Sequence, residues 1–416
     1  MISLVRKEDA MNKVYLDNAC TCLVRPEVLQ CCETLKALLS DPEITAGDAN
    51  RQLRAYAAQA REAVAGFIHC DADEVALVES TSHALGVLAN VIPLSSSDNV
   101  LVCDLEYLAS VLCWKRRQEQ VGFEIRRVYS HDGRVDPDDF VRCMDENTRV
   151  ILIASVQEIN GFRADIQEIT RIAHEHGILV IVDGIQEVGA FRVDVKKTDV
   201  DFYCAGGKKW LGNPFGMGFL YVKRALIGKI LPDYYSYFKI DIPDEYHGDF
   251  ITYLENPNRT PFDPFTLHQD ASIFEIGGYS NYMGALGLTQ SIRVLEAEGV
   301  DAIESRIRSL VRRLLNGLKR LPVYIASPLD EAHLSPTVSF NFGLAGGSAR
   351  EKKLETYLIQ RRIYVSLRCN AGTGGIRVSI NYYNTEADVD ALLEAVADFL
   401  KEDTHDSAKP CGKADI

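Results

Sequence analysis

The chain has 416 residues, 47% of them hydrophobic and 25% charged, with a formal net charge of -14. That length allows two or three domains around a large core, and the acidity argues against nucleic-acid or anionic-membrane surfaces, which need a basic footprint. No apolar run approaches the roughly 20 residues of a spanning helix, and MISLVRKEDAMNKVYLDNA holds no signal-peptide core, so no membrane association and a cytoplasmic location are expected. Eleven cysteines without a CxxC pair read as free thiols of a reducing compartment. Cys31 and Cys32 read as packing residues, and no spacing argues for a metal site.

Residues 74–79 (EVALVE) read as a strand and residues 80–91 as a helix opened by hydroxyl residues. A strand at 99–103, a helix at 110–120 and a strand at 123–128 follow. RVILIASV (149–156) is a strong buried strand. Residues 165–176 set Ile166, Ile169, Ile172 and Ala173 on one helical face, and 178–183 (ILVIVD) is the next strand. This alternation predicts an α/β protein with a large, mostly parallel sheet covered by helices on both faces. Residues 231–272 are rich in Asp, Pro, Tyr and His without a period, so an irregular excursion is expected there, near a substrate or a partner subunit. Helical sequence resumes over 281–321. Strand-like stretches at 337–342, 363–367 and 376–380 then lead to an amphipathic helix over 385–400. The expected division is an N-terminal segment (1–25), a large domain (26–280), a smaller C-terminal α+β domain (281–401) and a disordered polar tail (402–416).

In open α/β sheets ligands bind beyond the carboxyl ends of the strands, and four polar groups fall there. Ser80, Thr81 and Ser82 open a helix, which suits a phosphate or serves as an ordinary N-cap. Asp183 ends a buried strand and needs a cationic or donor partner, with Gln186 in the same turn; a loop salt bridge is the alternative. Tyr107 can stack on a flat ring or pack half-buried. Lys208 and Lys209 stand in CAGGKKWLGNPFGMGFLYV. Lys209 can form a Schiff base only if its pKa is lowered, which a neighbouring cation or an apolar setting does. Lys208 supplies that cation and can face a phosphate; two solvated lysines are the alternative. A phosphate, a flat ring, a carboxylate for a ring nitrogen and a Schiff-base lysine together specify pyridoxal 5'-phosphate.

VDGIQEVGAFRVDV, then DVDFYCAGGKKW, then PFGMGFLYV resemble, in order and spacing, the class V aminotransferase-like, fold type I pyridoxal phosphate enzymes. That group includes cysteine desulfurases, isopenicillin N epimerase-like proteins and carbon–sulfur lyases, and the resemblance runs from VYLDNA to about residue 400. It implies Lys209 as the Schiff-base lysine, Asp183 against the pyridine nitrogen and Gln186 near the ring hydroxyl. ESTSHAL resembles the phosphate turn, implicating Thr81 and Ser82, and DLEYLASVLCW the segment of the stacking aromatic, hence Tyr107. ASVQEINGFRADI resembles the segment lining the cofactor, implicating Ser155 or Gln157. VSLRCNAGTGGIRVSINYYNTEADVDAL resembles the C-terminal signature, where Arg377 would bind a substrate carboxylate with its guanidinium fork. Arg368 is a second binder, or a surface salt bridge, and Asn18 a further substrate contact. Three departures stand out. Lys208 replaces a frequent His, Gly206 a phosphate-binding serine, and Gly278 a Thr that reaches the neighbouring subunit's phosphate, for which Ser280, Asn281 or backbone N–H are substitutes.

Lys209 is the natural base at the substrate Cα, being tethered beside it. The expected reaction on an amino acid is β-elimination or C–S lyase/desulfurase-type chemistry. Epimerisation, cyclisation, transamination and a catalytically silent dimeric scaffold are the alternatives. No GxGxxG supports a nicotinamide enzyme. A persulfide-forming reaction needs a mobile thiol, for which Cys369 is the candidate, with a small buried loop residue as its other reading. His131, Asp132 and His247 read as solvated loop. The resemblance implies a homodimer with the active site at the subunit interface.

Overall fold

The computed structural model describes residues 13–234, 236–246, 250–275, 281–343 and 347–407. Its strands are β1 (Val14–Tyr15), β2 (Val75–Val78), β3 (Asn99–Cys103), β4 (Glu124–Val128), β5 (Thr148–Ala154), β6 (Leu179–Asp183), β7 (Phe202–Gly206), β8 (Gly218–Val222), β9 (Tyr324–Ile325), β10 (Thr337–Asn341), β11 (Ile363–Tyr364), β12 (Ser366–Asn370) and β13 (Thr373–Ser379). Its helices are α1 (Pro26–Ser40), α2 (Ala46–Ile68), α3 (Thr81–Val91), α4 (Leu108–Val121), α5 (Pro137–Val141), α6 (Ile166–Glu175), α7 (Val195–Thr198), α8 (Phe250–Leu254), α9 (Tyr282–Glu298), α10 (Val300–Leu318), α11 (Ala349–Gln360) and α12 (Glu386–Ser407).

The expected large sheet has seven strands in the order β2-β8-β7-β6-β5-β3-β4. Strands β3 to β7 pair in parallel. Alternate residues of β5 and β6 serve opposite cores: Val150, Leu152 and Ile181 face one, Ile151, Ile153, Val180 and Val182 the other. That double burial is why these strands read as continuous apolar runs. The sheet has one reversal, since β8 runs antiparallel between β2 and β7. The connection over 207–217 is too short for a crossover helix, so the chain must return antiparallel. Helix α6 buries Ile166, Ile169, Ile172 and Ala173 as its periodicity demands, and Asp165 caps it by accepting the Glu168 N–H at 3.1 Å.

A four-stranded antiparallel sheet, β12-β13-β10-β9, forms the C-terminal part, with α10, α11 and α12 packed around it. β1 pairs in parallel with β11, and Asp17 bridges to Ser379. The N-terminal segment is thereby stitched to the far end of the chain.

Several details depart from the sequence expectation. Helices α1 and α2 occupy a stretch whose patterning does not announce them. The buried stripe of α2 contains Ala57, Ala60 and Ala65 beside Leu53 and Val64, and alanine contrasts weakly with the polar face. The helical stretch after 281 is two helices, broken at Gly299 with φ +84°. α12 runs to Ser407 rather than ending at Leu400, so the first six residues of the expected tail are helical. Among the described residues of 231–272 the helical elements are 3-10 turns and the five-residue α8, and Ile240 bridges to Leu267. Among the described residues no helix is long and apolar enough to cross a membrane.

Candidate active site

The carboxyl ends of β2, β5, β6 and β7 open onto one cavity of about 330 Å³. The chain leaves each strand with a polar group pointing off the sheet, so residues far apart in sequence converge. Thr81, Ser82, Tyr107, Gln157, Asp183, Gln186, Lys208, Lys209, Arg368 and Arg377 all line it.

Lys209 sits in the β7–β8 connection. That loop is held by Gly207 N–H donating to the Met217 carbonyl (2.8 Å), Asn213 N–H to that of Gly207 (2.8 Å) and Gly212 N–H to that of Lys209 (2.7 Å). Burial draws the Lys209 amine down from its ordinary 10.5 to about 8, against the opposing pull of Asp183 and Glu158. Lys208 lowers it too, but as the smallest of the contributions, so the apolar setting does most of what its neighbour was expected to do. The Lys208 ammonium lies 5.3 Å from the Phe215 ring centre. The Tyr107 ring centre is 6.0 Å from Lys209 Nζ, and the tyrosine is 54% exposed, open to stacking rather than packed away.

Asp183 ends β6 almost fully buried. Burial raises its carboxyl to about 6, opposed by the Ile185 N–H that donates to Oδ1 at 3.0 Å and by the Lys209 charge. Gln186 is clamped: its Nε2 donates to the Ala19 carbonyl (3.2 Å) and its Oε1 accepts from Trp210 Nε1 (3.0 Å). This clamp fixes the residue next to Lys209. Gly189 completes it, with φ +97° and a position where a Cβ would lie 2.6 Å from the Trp210 carbonyl carbon and oxygen. Gly189→Ala is therefore expected to cost about 2 kcal/mol or more, read as a lower urea midpoint; an unchanged midpoint would show that the Trp210 backbone yields freely.

At the start of α3, Ser80 Oγ accepts the His83 N–H (3.1 Å) and Thr81 Oγ1 accepts the Gly206 N–H (2.8 Å). The amides of Thr81 and Ser82 remain as the unpaired donors of a helix N-terminus. A Cβ at Gly206 would stand 3.5 Å from the Thr81 amide, so the missing serine leaves that end open. Gln157 is fully buried. Its Nε2 donates to Glu106 Oε1 (2.8 Å), while its Oε1 has no partner among the described residues. Pyridoxal 5'-phosphate fits this donor set. Its phosphate suits the α3 amides, Ser82 and Lys208; its ring suits Tyr107, Asp183 and Gln157; its aldehyde suits Lys209.

Other expected residues lie elsewhere. Asn18 does not line the cavity: its Nδ2 donates to the Ser379 carbonyl (2.7 Å) and Asn384 Oδ1 (3.2 Å), and its Oδ1 accepts from Tyr383. Ser155 is buried behind the lining residues. Cys369 borders an adjoining cavity of about 750 Å³, not the one holding Lys209, and burial and Glu351 raise its thiol pKa. Asn281 caps α9, accepting the Gly284 N–H at 2.9 Å. Gly278, Ser280 and His247 lie outside the described residues.

Three lining or supporting residues carry no local signal in the sequence. Cys20 is an exposed thiol on the cavity wall. Glu158 lines the cavity and pairs with Arg377 at 2.7 Å. Glu106 is buried behind Gln157, and burial pushes its carboxyl up to about 8.

A family model described as aminotransferase class-V matches residues 14–392. A probable cysteine desulfurase of Methanothermobacter thermautotrophicus is 27% identical over 353 residues, covering 81% of this chain and 82% of that protein. Among solved structures, the cysteine desulfurase CsdA of Escherichia coli superposes with a TM-score of 0.78 at 24% identity, over 95% of this chain and 96% of that one. The cystine C–S lyase C-DES, in complex with its product cysteine persulfide, superposes with a TM-score of 0.81 at 20% identity, over 95% of this chain and 100% of that one. A lysine drawn toward neutrality, a buried carboxylate across the cavity from it, and a match that spans both sheets lead to one conclusion: the chain belongs to the class V aminotransferase family of pyridoxal-phosphate-dependent enzymes, with the fold type I architecture.

Proposed function

We propose that this enzyme removes the Cα proton of an amino-acid substrate and cleaves a C–S bond in its side chain. The observation that carries the reading is the Lys209 amine, held near pKa 8 in a cavity that also presents Asp183 and two guanidinium groups. The cofactor, when bound, supplies an electron-accepting ring that renders the Cα proton acidic. Lys209 takes that proton, since an amine of this pKa has a useful neutral fraction near pH 7. Asp183 holds an anionic charge at the cavity floor. The relatives named as cysteine desulfurases and the C–S lyase neighbour support sulfur chemistry over epimerisation, cyclisation or transamination.

With Cys369 outside the Lys209 cavity, β-elimination without a protein thiol is the favoured course. Holoenzyme given L-cysteine is expected to release pyruvate, ammonia and sulfide in equal amounts, and given L-cystine to release pyruvate, ammonia and cysteine persulfide in equal amounts. Cys369→Ala is expected to keep the rate within about twofold, since it loses no contact with the reacting atoms; a loss above about tenfold would place that thiol in the reaction. Exchange of the Cα hydrogen for deuterium without any elimination would overturn the proposal in favour of an epimerase. A second reading rests on Cys20, whose thiol does face the cavity. Sulfur transfer to that thiol would yield alanine in place of pyruvate.

The resemblance also supports a homodimer with the site at its interface and a cytoplasmic location. Leu108 and Leu112, exposed one turn apart on α4 beside Tyr107, are apolar surface of the kind a partner subunit covers.

A further inference from the structure

We propose that the cavity adjoining the Lys209 site receives a carboxylate carried on the substrate's sulfur, so that the preferred substrates are S-substituted cysteines with an anionic tail; the proposal rests on the C–S cleavage reading above. The two cavities meet at Tyr107, Glu158 and Arg368, which line both. The smaller, of about 330 Å³, must hold the cofactor together with the amino-acid end of the substrate. The adjoining one, of about 750 Å³, gives room to a group that extends from the side chain.

Its outer wall is built by the edge of the large sheet and the helix that covers it. On α4, Val111, Lys115 and Gln118 recur at the spacing of one helical face, and all line the cavity. β4 is the edge strand of the seven-stranded sheet. Its Ile125 and Arg127, two apart and therefore on one face, line the cavity as well. The opposite wall is the end of β12 with the turn that follows it, fastened by Asn370 Nδ2 donating to the Asp104 carbonyl at 3.0 Å.

The charges of the outer wall differ from those beside them in sequence. Arg116 pairs with Glu119 at 2.9 Å, and Arg126 pairs with Glu124 at 2.7 Å and Asp145 at 2.8 Å. Lys115 and Arg127, which line the cavity, have no carboxylate at ion-pair distance among the described residues. Arg127 is steadied instead by the Tyr129 ring, whose centre is 5.6 Å from its guanidinium carbon. The acidic groups of the cavity are engaged or uncharged. Glu158 pairs with Arg377 at 2.7 Å, Asp104 Oδ1 accepts the Ser130 N–H at 3.0 Å, and burial pushes the Glu106 carboxyl up to about 8. In a chain of net charge -14, this is a local excess of positive charge beside the reacting centre, and a cleft lined by one sign draws in the opposite one. A carboxylate there gains charge-assisted contacts with a guanidinium and an ammonium that an uncharged tail does not make.

The test compares two mixed disulfides of L-cysteine, one with mercaptoacetate and one with mercaptoacetamide, its uncharged isostere. Elimination turns either into pyruvate, ammonia and the tail's persulfide. Lys209 takes the Cα proton, the Cβ–S bond breaks, its electron pair leaves with the sulfur, and water completes the release of pyruvate and ammonia. Wild-type holoenzyme is expected to favour the acid over the amide by about 10-fold in kcat/KM, with a ratio that falls as salt is raised. Lys115→Gln combined with Arg127→Gln is expected to bring the ratio within about twofold and to leave kcat/KM for L-cysteine, which has no tail, within about twofold of wild type. Arg127→Glu is expected to reverse the preference. Both residues are exposed, so folding is not at stake, and circular dichroism checks it. A wild type that turns over L-cysteine but treats acid and amide alike overturns this proposal and leaves the C–S cleavage reading standing. A double variant that keeps the wild-type ratio overturns the assignment of Lys115 and Arg127. A wild type that cleaves none of these compounds overturns the C–S cleavage reading and this proposal with it.

Discussion

Replacing Lys209 with alanine is expected to cut turnover by about 10⁴-fold or more and to leave no covalent cofactor on the chain after borohydride reduction. The size follows from the two tasks that meet at one nitrogen. As a tethered amine it holds the cofactor, and as a base beside Cα it supplies the proton transfer, which alone is worth about 10²- to 10⁴-fold. Among the described lining residues Lys208 is the one other amine that could hold the cofactor. Arg368 and Arg377 do not give up a proton. Lys208 is directed at Phe215, 5.3 Å from its ring centre. A label mapped to Lys208 in the wild type, or a Lys209→Ala protein with turnover within tenfold of wild type, would refute the assignment.

Asp183→Asn is expected to lower turnover by about 10²- to 10⁴-fold, the effect of about 3–5 kcal/mol for removing one member of a buried charged pair. The substitution has a second consequence that concerns the protein alone. The Asp183 charge raises the Lys209 pKa, opposing burial. Without that anion the ammonium form loses support, so the amine becomes neutral at a lower pH. Covalent capture of pyridoxal 5'-phosphate by the apoprotein needs the neutral amine. In the wild type its rate should rise with pH through about 8, not 10.5. In Asp183→Asn that midpoint should move down. Asp183 itself sits near 6 because of its burial, so in the wild type its anion is lost as the pH falls through that value. A capture profile with the same midpoint in both proteins would mean that the two groups do not interact.

The cofactor half of the site was the readable half, for a physical reason. Asp183 closes ILVIVD, where an unpaired carboxylate would be costly, and Lys209 stands in a glycine-rich loop where a solvated lysine is out of place. Their chemistry is visible because it conflicts with the local setting. The substrate half was only partly readable. Arg377 can be picked out, but what neutralises it cannot: Glu158 and Asp17 are 219 and 360 residues away in sequence. Asn18 sits in the right motif, yet its Nδ2 is engaged by Ser379 and Asn384 and its Oδ1 by Tyr383. Cys20 and Cys369 look alike as letters, and only the fold shows that Cys20 lines the Lys209 cavity and Cys369 the adjoining one. The same holds for the fold. The parallel strands follow from unbroken apolar runs, whereas the reversal of β8 follows from a loop length, and α2 hides behind a stripe of alanine.

The stitching of β1 to β11, and of Asp17 to Arg377, sets an order of events during synthesis. At about 5–20 residues per second, a ribosome that has just added Asp17 needs roughly 20–70 s to reach Arg377. Over that interval the nascent chain can complete the large sheet and bring Lys209 into place, while Asp17 has no guanidinium to hold. The cofactor side of the cavity can therefore form before the residues of its substrate side are synthesised.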